Sequence, residues 1–169
     1  MRLLPQILCF FFISLTSLPS LAKFSTPAEI MQQIQARGVN SVVAEINAEN
    51  KQDKIIQNIA TGDKQWLQVA FKLSPNIHPE FSRQITDALS VALTKNPVEV
   101  LSLAKSHRTL SFTDICNMPP TIRGLSQQRA FAKKMIESLR AAEKSSRGVN
   151  QYDIETCIWQ FEKVHSTYM

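Results

Sequence analysis

The chain has 169 residues with 19 Lys and Arg against 14 Asp and Glu, a formal net charge of +5. That length suits one domain around a single core, and 4 glycines are too few for the many tight turns of an all-β protein. No low-complexity tract or linker interrupts it, and the surplus of positive charge directs attention to anionic partners.

Residues 1–22 carry a single basic side chain, Arg2, followed by an apolar run over 7–12 and a mixed stretch closing on Ser20-Leu21-Ala22. A short positive start, an apolar middle and small residues at the end form the layout of a secretory signal peptide. Cleavage is expected after Ala22, leaving 23–169 as one helical domain in the periplasm or secreted. An uncleaved anchor is the alternative. A spanning helix needs about 20 mainly apolar residues, whereas 7–21 is interrupted by Ser14, Thr16, Ser17, Pro19 and Ser20. Cys9 does not fit a lipid-carrying cysteine, since bulky Leu8 precedes it and little apolar chain lies upstream. No later run is apolar enough to span a membrane.

Beyond this segment the chain reads as short helices with clear punctuation. Thr26-Pro27-Ala28-Glu29 is a capping box with proline at the first helical position; Ile30 and Ile34 follow at helical spacing and Gly38 marks the stop. Val39, Val42, Val43 and Ile46 define a second amphipathic helix, and Ile55, Ile56, Ile59 and Ala60 a third, ended by Gly62. Asp63 is placed to cap a fourth carrying Trp66, Leu67, Ala70 and Phe71. After a break at Ser74-Pro75-Asn76, a fifth helix starting near Pro79 puts Phe81, Ile85, Ala88, Leu89, Ala92 and Leu93 on one face. Asn96-Pro97-Val98-Glu99 has the chemistry of a side-chain cap, a first-turn proline and an early acid, and Val100, Leu101 and Ala104 continue that sixth helix.

Residues 110–123, with Cys116 and the stiff Pro119-Pro120 pair, read as an ordered loop containing one helical turn; 110–112 is a weak strand candidate. A long helix over 125–145 follows, with Leu125, Ala132, Met135, Ile136, Leu139 and Ala142 on its apolar stripe. Beyond Gly148, Asn150 and Asp153 form a capping arrangement, Val149 is placed to staple against Ile154, and Ile154, Cys157, Ile158, Phe161 and Val164 share an apolar face. The expected fold is all-α: a compact array of about seven or eight short antiparallel helices, solenoid-like in its short pairs though without a strict repeat period.

Loss of Cys9 with the signal leaves Cys116 and Cys157, and an even pair in an oxidising compartment is expected to form a disulfide. A redox-active pair would sit closer together, near a helix start. The chain offers little catalytic chemistry. His78, His107 and His165 fall on separate elements as surface or helix-end residues, without a second ligand at metal-binding spacing. No glycine-rich phosphate loop, Gly-x-Ser-x-Gly elbow or His-Glu-x-x-His is present. Glu80 with Asp87 and Glu45 with Glu49 are the carboxylate pairs available for glycan hydrolysis, and both read as solvated surface. Trp66 and Trp159 lie at or beside apolar helix faces and suit packing in a core or interface. No cofactor, metal or catalytic residue is assigned, although an enzyme whose site is illegible in one sequence stays open.

One surface stands out. Between 105 and 147 basic side chains far outnumber Asp114, Glu137 and Glu143, and on a helix Arg129, Lys133, Arg140, Lys144 and Arg147 fall within a stripe about 60° wide. Such a stripe is either a solvated face or a contact surface for an acidic protein or anionic envelope polymer; an exported protein is not expected to meet nucleic acid. Gly62, Trp66-Leu67, Ala88-Leu89, Ala92-Leu93, Asn96-Pro97, Val100-Leu101 and Cys116 together resemble a pattern in small exported bacterial helical proteins of no established activity. The resemblance spans roughly residues 55–120, implies a periplasmic helical protein and transfers no site residue. The expected function is binding without catalysis, most simply of another protein. An immunity or inhibitor protein against an envelope-targeting toxin and an envelope adaptor for an anionic partner are the alternatives.

Overall fold

The computed structural model describes residues 24–145, 148 and 150–167, apart from the side chains of 165 and 167. The expected signal segment 1–22, Arg147, the Val149 staple and the His165 side chain lie outside the described residues. Every helix expected from periodicity is present: α1 Pro27–Arg37, α2 Val39–Ala48, α3 Gln52–Ile59, α4 Lys64–Leu73, α5 Pro79–Leu93, α6 Pro97–His107, α8 Leu125–Ser145 and α9 Gln151–Thr167. The turn in the 110–123 segment is α7, Phe112–Ile115, and the strand candidate at 110–112 forms no strand: Leu110 and Ser111 are irregular and Phe112 opens α7. Among the described residues the fold is all-α, with nine helices and no strand.

Local chemistry sets the boundaries. The Thr26 hydroxyl accepts from the Glu29 N–H while the Glu29 carboxylate accepts from the Thr26 N–H, closing the capping box of α1. Asp63 accepts from the Gln65 and Trp66 N–H groups at 3.0 and 3.1 Å and opens α4. One core cluster runs from Phe24 to Phe161, with Ile55, Ile59, Leu67, Phe71, Phe81, Ile85, Leu89 and Leu93 buried at its centre. Leu125, expected on the buried stripe of α8, is 60% exposed, because it opens the helix ahead of its first buried residue, Ala132.

The helices are short, and short helices are marginal in isolation; pairing supplies their stability. Helix α3 packs against α5 while α4 packs against α6, so the α3–α4 and α5–α6 pairs stack in two layers, and α8–α9 joins the stack by meeting α5 and α6. Successive turns lie along one edge. The Lys95 ammonium donates to the Ala60 carbonyl at 3.0 Å, Lys64 meets Glu99 at 3.6 Å, and the Asn96 amide donates to the Gly62 carbonyl at 2.9 Å. In the next turn the Asn150 amide donates to the Ser102 hydroxyl at 2.7 Å and to the Val98 carbonyl at 3.4 Å. Gly62 permits the close approach: its φ is +78°, and a Cβ there would lie 3.2 Å from Lys95 Cβ and 3.3 Å from Asn96 Cβ.

Asn96 therefore does not act as read from the sequence. It occupies the position before α6 but makes no side-chain capping bond; its donor is spent on the preceding turn. This assignment has a chemical signature. Asn96→Asp puts an acceptor against the Gly62 carbonyl and is expected to cost about 1–3 kcal/mol in denaturant unfolding, and Asn96→Ser is expected to lose the same bond. Were Asn96 a cap, both replacements would be tolerated to within a few tenths of a kcal/mol.

Candidate functional site

Helices α8 and α9 pack along each other as an antiparallel hairpin, turning through Gly148 at φ +86° and Asn150 at φ +58°. Met135, Leu139, Ile154 and Phe161 face inward, and Phe131 tilts against Phe161 with ring centroids 6.1 Å apart. Three ties fix the hairpin to the stack. The Ser138 hydroxyl donates to the Leu93 carbonyl at 3.2 Å, Asn150 bonds α6 as described, and Cys116 is bonded to Cys157 with Cα atoms 5.2 Å apart. Both cysteines are buried, as a structural disulfide requires.

The outer face of this hairpin carries the expected stripe. Arg129, Lys133, Arg140 and Lys144 are exposed along α8. Their surroundings, however, are not uniformly basic. Arg140 bridges to Glu162 of α9 at 2.5 Å, and a groove of about 390 Å³ beside it is lined by Arg140, Glu143, Lys144, Glu155, Ile158, Trp159 and Glu162. A second depression lies on the other side of the bridge, among Lys133, Ile136 and Glu137. The Arg140–Glu162 pair thus divides two shallow hollows, with a basic row on α8 and an acidic row on α9. Sequence reading missed the acidic row, in which Glu162 lies 22 positions downstream of Arg140 and reaches it through the hairpin.

Of the two uses open to Trp159, core and interface, the structure leaves it outside the core. It is 57% exposed, with the Lys163 ammonium 5.5 Å from the ring centroid, while Tyr152, two helical turns earlier on the same side of α9, is 79% exposed. Trp66, by contrast, packs partly against the core. The signal for Trp159 was its spacing: it stands next to Ile158 and two positions from both Cys157 and Phe161, off their apolar stripe.

The remaining candidates stay apart. Glu45 pairs with Arg37 at 2.5 Å and Glu49 with Lys51 at 2.6 Å, so that pair of carboxylates is occupied by structural cations. Glu80 pairs with Arg83, one turn from Asp87. His78 precedes α5 and His107 ends α6. Among the described residues no group of three or more His, Cys, Asp or Glu is placed to hold a metal ion, and no helix is long and apolar enough to cross a membrane. Compared with protein-family models, curated proteins and solved structures, the chain matches none.

His107 stacks on Phe71, centroids 5.6 Å apart at 15°. Burial, helped by the charge of Lys72, holds its imidazole below the ordinary histidine value of 6.5. A depressed histidine favours the fold in its neutral form: the contribution is complete above 6.5 and is lost as pH falls through the folded-state value. Unfolding midpoints measured from pH 7.5 down to 5 are expected to fall, and His107→Gln is expected to flatten that part of the profile. An identical slope in the variant would remove His107 from the account.

Proposed function

We propose that this is an exported protein, periplasmic or secreted, that acts by binding another protein and performs no catalysis. The hairpin α8–α9 is its contact face. The observation that carries this reading is the exposure of Trp159 next to Arg140 and Lys144, with exposed Tyr152 two turns earlier on α9, on a pair of helices stapled to the core. Tryptophan, tyrosine and arginine are the side chains that dominate binding hot spots, and a rigid support lowers the entropy lost when they are engaged. The disulfide supports an oxidising compartment. The partner best suited to Lys133 and Lys144 presents acidic groups around an apolar cleft for Trp159; Glu155 and Glu162 would set its register by repelling misaligned carboxylates. An inhibitor of an envelope-targeting toxin and an envelope adaptor are two forms of this same reading.

The test is affinity capture from the envelope fraction with the wild-type protein and with Trp159→Ala and Lys133→Glu/Lys144→Glu variants side by side. Each variant is expected to remain folded, since all three positions are exposed, and to lose the partner by about tenfold or more. A partner retained equally by all forms would place the contact elsewhere, and recovery of no partner would count against binding as the function.

A further inference from the structure

Two hollows lie on adjacent faces of α5 and share Asp87. The first, about 360 Å³, has Ser82, Arg83, Thr86 and Asp87 on one wall and Asp114, Asn117 and Met118 on the other. The Ser90 hydroxyl holds that second wall in place by donating to the Ile115 carbonyl at 2.6 Å. The second hollow, about 200 Å³, lies between α3 and α5 and is apolar, walled by Ile56, Ala60, Ala88 and Val91. Gln84 borders it.

The charges around Asp87 are unbalanced in one direction. Arg83, one turn away, is turned to Glu80, its Nη2 lying 2.7 and 2.8 Å from the two carboxylate oxygens. Asp114 adds a second carboxylate to the groove. Burial holds the Asp87 carboxyl above the usual carboxylate range; Arg83 opposes this and Glu80 reinforces it. Asp87 thus borders both an apolar slot and a groove in which two carboxylates face one arginine that is already held by Glu80.

We propose that the crevice across α5 binds a segment of another polypeptide that carries a lysine or arginine beside an apolar residue. The cation lies against Asp87 with Asp114 on the facing wall, and the apolar side chain enters between α3 and α5. A polypeptide supplies both groups on neighbouring residues, and stacked helical pairs present extended concave surfaces to their partners. The site is built from residues other than those of the α8–α9 face, so it stands or fails independently of that reading.

Titration of isotope-labelled protein with acetyl-Ala-Leu-Lys-Ala-amide, followed by NMR, tests it. Amide shifts are expected at 56–60, 84–91 and 114–121. Acetyl-Ala-Leu-Glu-Ala-amide is expected to bind about fivefold more weakly, and Asp87→Asn to weaken the Leu-Lys peptide by a similar factor. Because burial disfavours the ionised Asp87, the Asn variant is expected to be at least as heat-stable as wild type at pH 7, which separates lost binding from lost fold. Equal affinity for the Lys and Glu peptides, shifts confined to other residues, or undiminished binding by a folded Asp87→Asn protein would overturn the proposal.

Discussion

Short helices need an external reason to sit in one register, and here the reason is a row of asparagine-to-backbone hydrogen bonds along one edge. Asn96 reaches back to the turn after α3, and Asn150 reaches back to the first turn of α6. The Asn96 bond satisfies the Gly62 carbonyl, which lies between α3 and α4, and Asn150 bonds the Ser102 hydroxyl at 2.7 Å as well as the Val98 carbonyl. Each also ties one helical pair to the pair before it. Gly62 makes the closest of these contacts possible, since any side chain there would press on Lys95 and Asn96. Registration along this edge decides which apolar faces meet, and the continuous core follows from it. A third asparagine works in the same manner at the α4–α5 break, where Asn76 is buried and bonds the Leu73 carbonyl, the Ser82 hydroxyl and the His78 N–H.

The terminal pair depends on this edge and on the disulfide. Helices α8 and α9 pack chiefly on each other and touch the stack through α5 and α6. Cys116 and Cys157 are 41 positions apart, and closing a loop of that size removes unfolded-state entropy worth on the order of 4 kcal/mol. The bond joins the segment after α7 to the middle of α9, so it constrains both the hairpin that carries Trp159 and the wall that faces Asp87. Two candidate surfaces, chemically different, therefore share one staple. One is an exposed aromatic and charged face suited to docking; the other is a crevice suited to receiving a chain.

Most of the helix plan was legible because its signals are local. The Thr26–Glu29 capping box, Asp63, the prolines at 27, 79 and 97, and the glycines at 38 and 62 each act within a few residues of their position in sequence. What was illegible depends on partners far along the chain. Asn96 has the sequence of a cap, yet its acceptor lies 34 positions away. The stripe on α8 looks purely basic until α9 folds back and sets Glu155 and Glu162 beside it. Asp87 and Gln84 look like ordinary surface residues of an amphipathic helix. Only the packing of α3 and the 114–121 segment around α5 turns them into the floor and wall of a crevice.

The α8–α9 pair shares the core but packs chiefly on itself, so its hold on the stack depends on Cys116–Cys157 and the asparagine edge. Hydrogen exchange of the oxidised and reduced protein under native conditions measures this most directly. The account predicts that reduction accelerates exchange throughout 125–167 while 52–107 keeps its protection. Uniform loss of protection over the whole chain, or unchanged protection in 125–167, would contradict it.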